Sequence, residues 1–398
     1  MKLLEKSYHA KRISPAGGEY FFGYYDLQAF CGNLHLTHKL NFTDRLQKRG
    51  DMAEVGLLDI NTAKYEKLDI TGAWNFQQGA MLQWNPLKPT EEIIYNSLSD
   101  GDYGATVLNI HSGKKRFLDR PVANVSPKGD YALSINFDRM YDFRPGYGYA
   151  QYGDPFYYQR HSAKDGVFLT DLKTGKSRLI VSMKQIWEFS CDFFGSTDPK
   201  LVINHITFNT DGTRFLLLVR NFPDSGKSHQ TAIITANTDG SNLYLLSDYG
   251  VQSHYYWRDP EHVIFYAGGR ELACARGWAN NYILTDKTHE GEMIADGFFA
   301  GDNHMSYSPD RKLLLTDTYP DERRMQRLRI YSFENNICVD LGRFYSMPSN
   351  IIDLRCDLHP RWDQDGRRIS FDSTHEGFRG VYMVDVGLIE DEFRGNDE

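Results

Sequence analysis

Short apolar runs alternate with polar residues along the chain, break at a turn, and return. VGLLDINTAKYEKL (55–68), ATVLNIHSGKKRFL (105–118), GVFLTDLKTGKSRLIV (166–181), AIITANTDGSNLYLL (232–246), NYILTDKTHEGEMI (281–294) and LRIYSFENNICVDLG (328–342) all follow this pattern. GVYMVDV (380–386) begins it again and lacks the return. A period of two on both sides of a Gly, Asn or Asp turn predicts a β-hairpin in each full copy.

A second pattern precedes several hairpins: an aromatic or apolar residue, a turn with Pro, Asp or Gly, then a strand. VSPKGDYALSIN, FNTDGTRFLLLV, YSPDRKLLLTD and WDQDGRRISFD are examples. The two patterns together give four strands per copy, at roughly 57 residues per copy. The fold class this predicts is all-β, a seven-bladed β-propeller with four antiparallel strands per blade. A pair of β-sandwiches is the alternative, but it does not require such regular recurrence. The last copy has no fourth strand, and a propeller must close its ring or leave a sheet edge exposed. The stretch from Leu3 to Ile13 is expected to supply that strand. One domain then covers 1–388, followed by a polar, frayed tail at 389–398.

Composition changes this picture little. The chain has 398 residues, 41% apolar and 25% charged, enough to build a core. Its net charge of −8 argues against nucleic acid or an anionic membrane as a general partner. No run of about 18 apolar residues predicts a membrane-spanning helix, and the start MKLLEKSYHAKRIS has no signal-peptide core. Cys31, Cys191, Cys274, Cys338 and Cys356 are scattered, form no CxxC, and read as reduced, mostly buried thiols. A cytoplasmic location is expected, or a periplasmic one if a leader has been removed. The expected state is a monomer or a small homo-oligomer.

The stretch 139–165 departs most from strand patterning and reads as a long loop rich in Gly, Pro and Tyr. Such loops are more often functional than decorative. It carries Arg144, Tyr147, Tyr149, Tyr152, Tyr157, Tyr158, Arg160 and His161. Rings stack on sugar faces and guanidinium groups pair with carboxylates, so this mixture suits an acidic sugar.

Aligning the first strands of the later copies gives the sharpest chemical signal. His205, His254, His304 and His359 each stand three residues before an aromatic. Innermost strands of a propeller line its channel, so four imidazoles in one register converge there. They form either a metal site or a metal-free channel cluster. Asp357, two residues before His359, shares its face if the strand is extended and can ligate or orient an imidazole. Cys356 then points the other way. The early copies offer Tyr24, Tyr25, Asp26, Gln78, Gln83, Asn96, Asp102 and Tyr103 instead. Arg220, Arg258, Arg323, Arg324, Arg355, Arg361 and Arg379 add positive charge to the late copies, and a cluster of them near a metal would favour an anionic ligand. There is no GxSxG, P-loop, dinucleotide fingerprint or HExxH.

GYYD, NHITFNTDG, SHYYW, DNHMSYSPD, TDTYPD and RCDLHPRWDQDG…FDSTHEG resemble segments of the propeller polysaccharide lyases. The oligogalacturonate lyases are the nearest, with ulvan and rhamnose–glucuronate lyases of similar fold. The resemblance implies cleavage of a uronate-containing oligosaccharide by β-elimination. It implies a manganese-type ion held by late-blade histidines with a Gln, and another His and an Arg doing the chemistry. His304 and His359 match the metal motif, Asp357 stands where that family has a His, and the family's Gln has no clear match. His254 matches the base by position. The ulvan-type early His pair is replaced by Gln83 and Asn96.

The expectation is therefore a metal-assisted lyase acting on an acidic oligosaccharide. His304, His359, Asp357 and His254 are candidate ligands for a divalent ion, manganese first, with zinc and calcium as alternatives. His254, His205, Arg144 and Tyr147 are candidates for the chemistry. Tyr25, Gln83, Tyr149, Arg160, Arg220 and Arg355 are candidates for substrate binding. The rival readings are a non-catalytic propeller that binds carbohydrate or protein, and a metal-dependent hydrolase or epimerase.

Overall fold

A computed structural model describes residues 1–268, 279–288, 290–387, 389 and 393. Cys274 and most of the 389–398 tail lie outside the described residues. The rest is mostly strand, because Val, Ile, Leu, Tyr and Phe alternate with polar residues over short runs bounded by turns. Glu19–Phe21, Leu34–Leu40, Ala53–Asp59 and Lys64–Thr71 form the first sheet in that order, with Phe30–Cys31 beside Leu34–Leu40. Gln83–Trp84, Glu92–Ser99, Asp102–Asn109 and Lys115–Leu118 form the second. Asn124–Val125, Tyr131–Ser134, Gly166–Asp171 and Ser177–Ser182 form the third. All their strand pairs are antiparallel.

Next comes a seven-stranded sheet. Leu201–Phe208, Arg214–Asn221, Thr231–Asn237 and the 14-residue Tyr244–Trp257 lead into His262–Gly268, Asn280–Thr285 and Gly291–Met293. Tyr244–Trp257 pairs through its first half with Thr231–Asn237 and through its second with His262–Gly268. Met305–Tyr307, Leu313–Asp317, Met325–Ser332 and Ile337–Tyr345 follow, and Arg361–Trp362, Arg368–Ser373 and Gly380–Asp385 end the series. Each hairpin expected from the sequence is the outer strand pair of one of these units.

The N-terminus departs from expectation. Ala10–Arg12 does pair antiparallel with Gly380–Asp385 as the fourth strand of the last sheet. Lys2–Glu5 instead runs parallel to Ile337–Tyr345, as a fifth strand on the preceding sheet. The segment thus splits across two neighbours. Chain start and end are further tied where the Tyr20 amide donates to the Arg379 carbonyl at 2.8 Å and the Phe22 amide to Asp372.

The 139–165 stretch is not wholly a loop. Phe137–Phe143 is a helix capped by Asn136, followed by a 3-10 turn at Pro145–Tyr147. Arg139 is buried beneath it, donating to the carbonyls of Leu201, Gln159 and Arg160 and to Asp154. The 3-10 turn meets the segment at 353 so closely that a Cβ on Gly146 would lie 2.5 Å from the Asp353 Cβ. Only glycine permits that approach. Among the described residues no helix is long and apolar enough to cross a membrane.

Candidate functional site

The four register histidines stand where strand pairing begins or breaks. Pairing of Leu201–Phe208 skips a residue between Ile203 and His205, and that of Tyr244–Trp257 is irregular between Gln252 and Tyr255. His304 and His359 precede the strands Met305–Tyr307 and Arg361–Trp362. Such breaks re-aim side chains. His359 has φ of 42°, a left-handed conformation uncommon for a non-glycine residue, although His adopts it more readily than most. Residues 356–360 are therefore not the extended strand the sequence suggested. Asp357 and His359 meet through a bend rather than through alternation.

All four imidazoles surround a pair of phenols, Tyr24 and Tyr25. Ring centroids of His205, His254, His304 and His359 lie 4.8, 6.4, 6.4 and 5.1 Å from that of Tyr24. His254 and His304 are 4.1 Å apart, and His304 and His359 4.2 Å. Every one is buried.

Carboxylates hold three of the rings. Asp317 takes His304 Nδ1 at 2.9 Å, which leaves Nε2 free to face His359 Nε2 at 3.2 Å. Asp302 takes His254 Nδ1 at 3.0 Å. Asp26 takes His205 Nε2 at 2.7 Å, while His205 Nδ1 is buried with no partner among the described residues. Burial lowers the pKa of His254 and, with the neighbouring His304, takes His359 well down. Burial would lower His304 too, but Asp317 outweighs it and the net shift is upward. Burial raises the Tyr24 and Tyr147 phenols, so both stay protonated.

His304, Asp357 and His359 each offer a ligand atom, all within 4.8 Å of one another. Two imidazole nitrogens bound at about 2.1 Å to one ion in a near-tetrahedral arrangement stand about 3.4 Å apart, close to the separation seen here. The Asp317 carboxylate behind His304 is the usual orienting partner of a metal-bound imidazole. Asp357 is also gripped by Arg355, at 2.5 and 2.7 Å, yet a carboxylate has about four lone-pair sites and retains capacity for an ion. The residues fit a divalent metal. His254 and His205 fall outside the trio.

The arginines differ in kind. Arg355 is bound by Asp357 and lies over the Tyr319 ring at 4.5 Å. Arg144 donates to Asp353 at 2.8 and 3.2 Å and lies over Tyr147 at 4.5 Å. Arg220 is 5% exposed and meets only neutral groups among the described residues, Asn204 Oδ1 at 3.1 Å and Thr231 Oγ1 at 3.2 Å. Burial and the nearby Arg144 charge lower its pKa, as expected for a cation without a counter-ion.

Other expected residues are used elsewhere. The Tyr25 hydroxyl donates to the Tyr255 carbonyl at 2.8 Å and accepts its amide at 3.2 Å. Gln83 donates to the Met81 carbonyl. Tyr149 stacks on Phe137 at 4.2 Å and accepts from Asn96. Arg160 is exposed and pairs with Asp198. The polar atoms of these four side chains are engaged elsewhere and hold the scaffold, while the Tyr25 ring itself packs among the imidazoles, 5.3 Å from His304 and 5.8 Å from His254. Cys356 is buried and lies outside the trio.

The sequence reading missed Asp302, Asp317 and Tyr319. A signal was present: Asp302-x-His304 and Asp357-x-His359 repeat one spacing in consecutive copies. Asp317, from the neighbouring strand Leu313–Asp317, carries no such mark.

No family model matches the chain, and no curated protein matches it in sequence. Solved structures match in fold. An oligogalacturonate lyase from Vibrio parahaemolyticus is 12% identical, with a TM-score of 0.65 over 96% of this chain and 94% of that one. An oligogalacturonate lyase in complex with manganese is 14% identical, with the same TM-score and coverage. A prolyl endopeptidase also matches, at 10% identity and a TM-score of 0.52, over 93% of this chain and 48% of that one. The scaffold alone therefore does not select a chemistry. What the comparison shows is that this chain has the propeller fold of the oligogalacturonate lyases.

Proposed function

We propose that this chain is a metal-assisted lyase that cleaves a uronate-containing oligosaccharide by β-elimination. Its strands form one ring of seven blades over 1–388, the seven-stranded sheet being two blades joined through Tyr244–Trp257. The observation that carries the function is Arg220, a buried guanidinium beside the imidazoles with no carboxylate partner among the described residues. Such a cation is best satisfied by an anionic group from outside, and a uronate carboxylate is one.

His304, His359 and Asp357 would hold a divalent ion, which when bound supplies positive charge to the uronate carboxylate. Two imidazoles in the set favour manganese or zinc over calcium, which prefers oxygen ligands alone. Arg220 orients the same carboxylate and stabilises charge spreading onto it as the C5 proton leaves. His254 takes that proton on Nε2, since Asp302 holds its Nδ1–H and burial keeps the ring neutral. The C4–O bond breaks, C4 and C5 become doubly bonded, and the leaving oxygen takes a proton from a neutral phenol, Tyr24 or Tyr147. His205, tied to Asp26, orients Tyr24 edge-on. Arg144 positions Tyr147 by lying over its ring.

Metal analysis of the purified protein, followed by ultraviolet assay on uronate oligosaccharides, tests this. Bound divalent metal and a rise in absorbance from an unsaturated product are expected. Saturated products would favour a hydrolase or epimerase. Absence of both metal and turnover would favour the non-catalytic binding propeller.

A further inference from the structure

The innermost strands also have far ends, where among the polar groups Asp26 reaches the histidine cluster, through its Oδ2 on His205 Nε2. Two cavities of about 230 and 280 Å³ lie at those ends and share Asp26, Tyr256 and Arg311 in their walls. Trp257, Tyr307 and Trp362, also in these walls, stand three residues beyond His254, His304 and His359. Three residues of chain reach at most about 10 Å, so these rings lie within that distance of the histidines.

These walls concentrate hydrogen-bond groups with no partner. Asp26 Oδ1, Trp257 Nε1, Ser306 Oγ, Tyr307 OH, Arg361 Nε and Trp362 Nε1 are buried and unpaired among the described residues. The Asp26 side chain is 5% exposed, and Trp257, Ser306, Tyr307 and Trp362 are 3–6% exposed. Buried polar groups are normally paired. Six unpaired ones around two adjoining cavities mark a place where an outside molecule brings the partners, reached after small side-chain rotations.

Their chemistry narrows the molecule. Three are N–H groups that only donate, two are hydroxyls that do either, and one is a carboxylate oxygen that only accepts. Arg311 has no salt bridge among the described residues; it donates to the Trp257 carbonyl at 3.3 Å and lies over the Tyr256 ring at 5.9 Å. A carboxylate and a guanidinium thus flank the same space, so neither an anion nor a cation suits both. Hydroxyls on a ring with an apolar face suit both and suit the aromatic walls. At about 30 Å³ per water molecule each cavity holds eight or nine waters' volume, room for one sugar ring.

We propose that this end of the channel binds neutral sugar, one ring per cavity, separately from the anion-seeking histidine cluster. The proposal does not depend on the lyase reading. The test is ¹⁹F NMR of protein labelled with 5-fluorotryptophan, whose six indoles are assigned by Trp257→Phe and Trp362→Phe. Titration with a panel of D-galactose, D-glucose, L-rhamnose and D-xylose is expected to shift the Trp257 or Trp362 signals. Arg311→Asn is expected to weaken that binding at least tenfold with bound metal unchanged. Arg311 is exposed with φ of 66°, which Asn tolerates, so this variant is expected to fold. D-galacturonate is expected to leave both signals in place. No shift with any neutral sugar, or an equal shift with galacturonate, overturns the proposal.

Discussion

The early and late parts of the chain both bury polar side chains, and they differ in what those side chains have left over. In the early part, Tyr25, Gln83, Asn96 and Tyr149 meet partners inside the fold. In the late part, Asp302 and Asp317 each grip an imidazole by Nδ1, which orients the ring and leaves Nε2 for other use. The arginines repeat the contrast: Arg144 and Arg355 pair with carboxylates, and Arg220 forms no such pair among the described residues. Residue type and register nominate candidates, but hydrogen-bond accounting separates those that build the site from those that build its frame.

The sharpest break of this comparison is His304→Ala. It should remove bound metal and lower lyase turnover by on the order of 10³-fold or more, read by metal analysis and unsaturated product. Arg220→Met should follow, raising KM for uronate substrates and lowering kcat/KM by roughly 2–5 kcal/mol, the range for losing one partner of a buried charge pair. Retained kcat/KM would move the anion site elsewhere. Asp317→Asn should weaken metal binding about 10- to 100-fold, as loss of an orienting carboxylate does. Tyr149→Phe should cost only about 0.5–1.5 kcal/mol of stability and leave turnover intact, because its hydroxyl meets Asn96 and not the cluster.

A pH effect belongs to the frame rather than the site. Burial pushes the Asp138 carboxyl from an ordinary 3.8 up to about 7. A group whose pKa is raised on folding favours the fold while protonated. Its contribution is full below about pH 4 and is lost as pH rises through about 7. Asp138→Asn should therefore flatten the decline in stability between those limits, by on the order of a few kcal/mol, read by urea unfolding at pH 5 and pH 8.

Much of the fold was legible because a period of two between turn residues is local information. The hairpins at 55–68 and 328–342 are found where the pattern put them. The N-terminal split was not legible, since Lys2–Glu5 and Ala10–Arg12 choose partners more than 300 residues away. The histidine register was legible for the same local reason. Asp317 was not, because its link to His304 runs across a hairpin. Tyr25 and Arg355 carried suitable chemistry, and only tertiary partners reveal that it is already engaged.

The most direct test of the central claim is mass analysis of products from a uronate oligosaccharide, with wild type and His254→Ala side by side. Elimination by the wild type gives an unsaturated uronate and a second fragment whose masses together equal the substrate with no water added, and the variant loses this product while keeping its metal. Fragments that together contain one added water, or an unsaturated product undiminished in His254→Ala, would contradict the account.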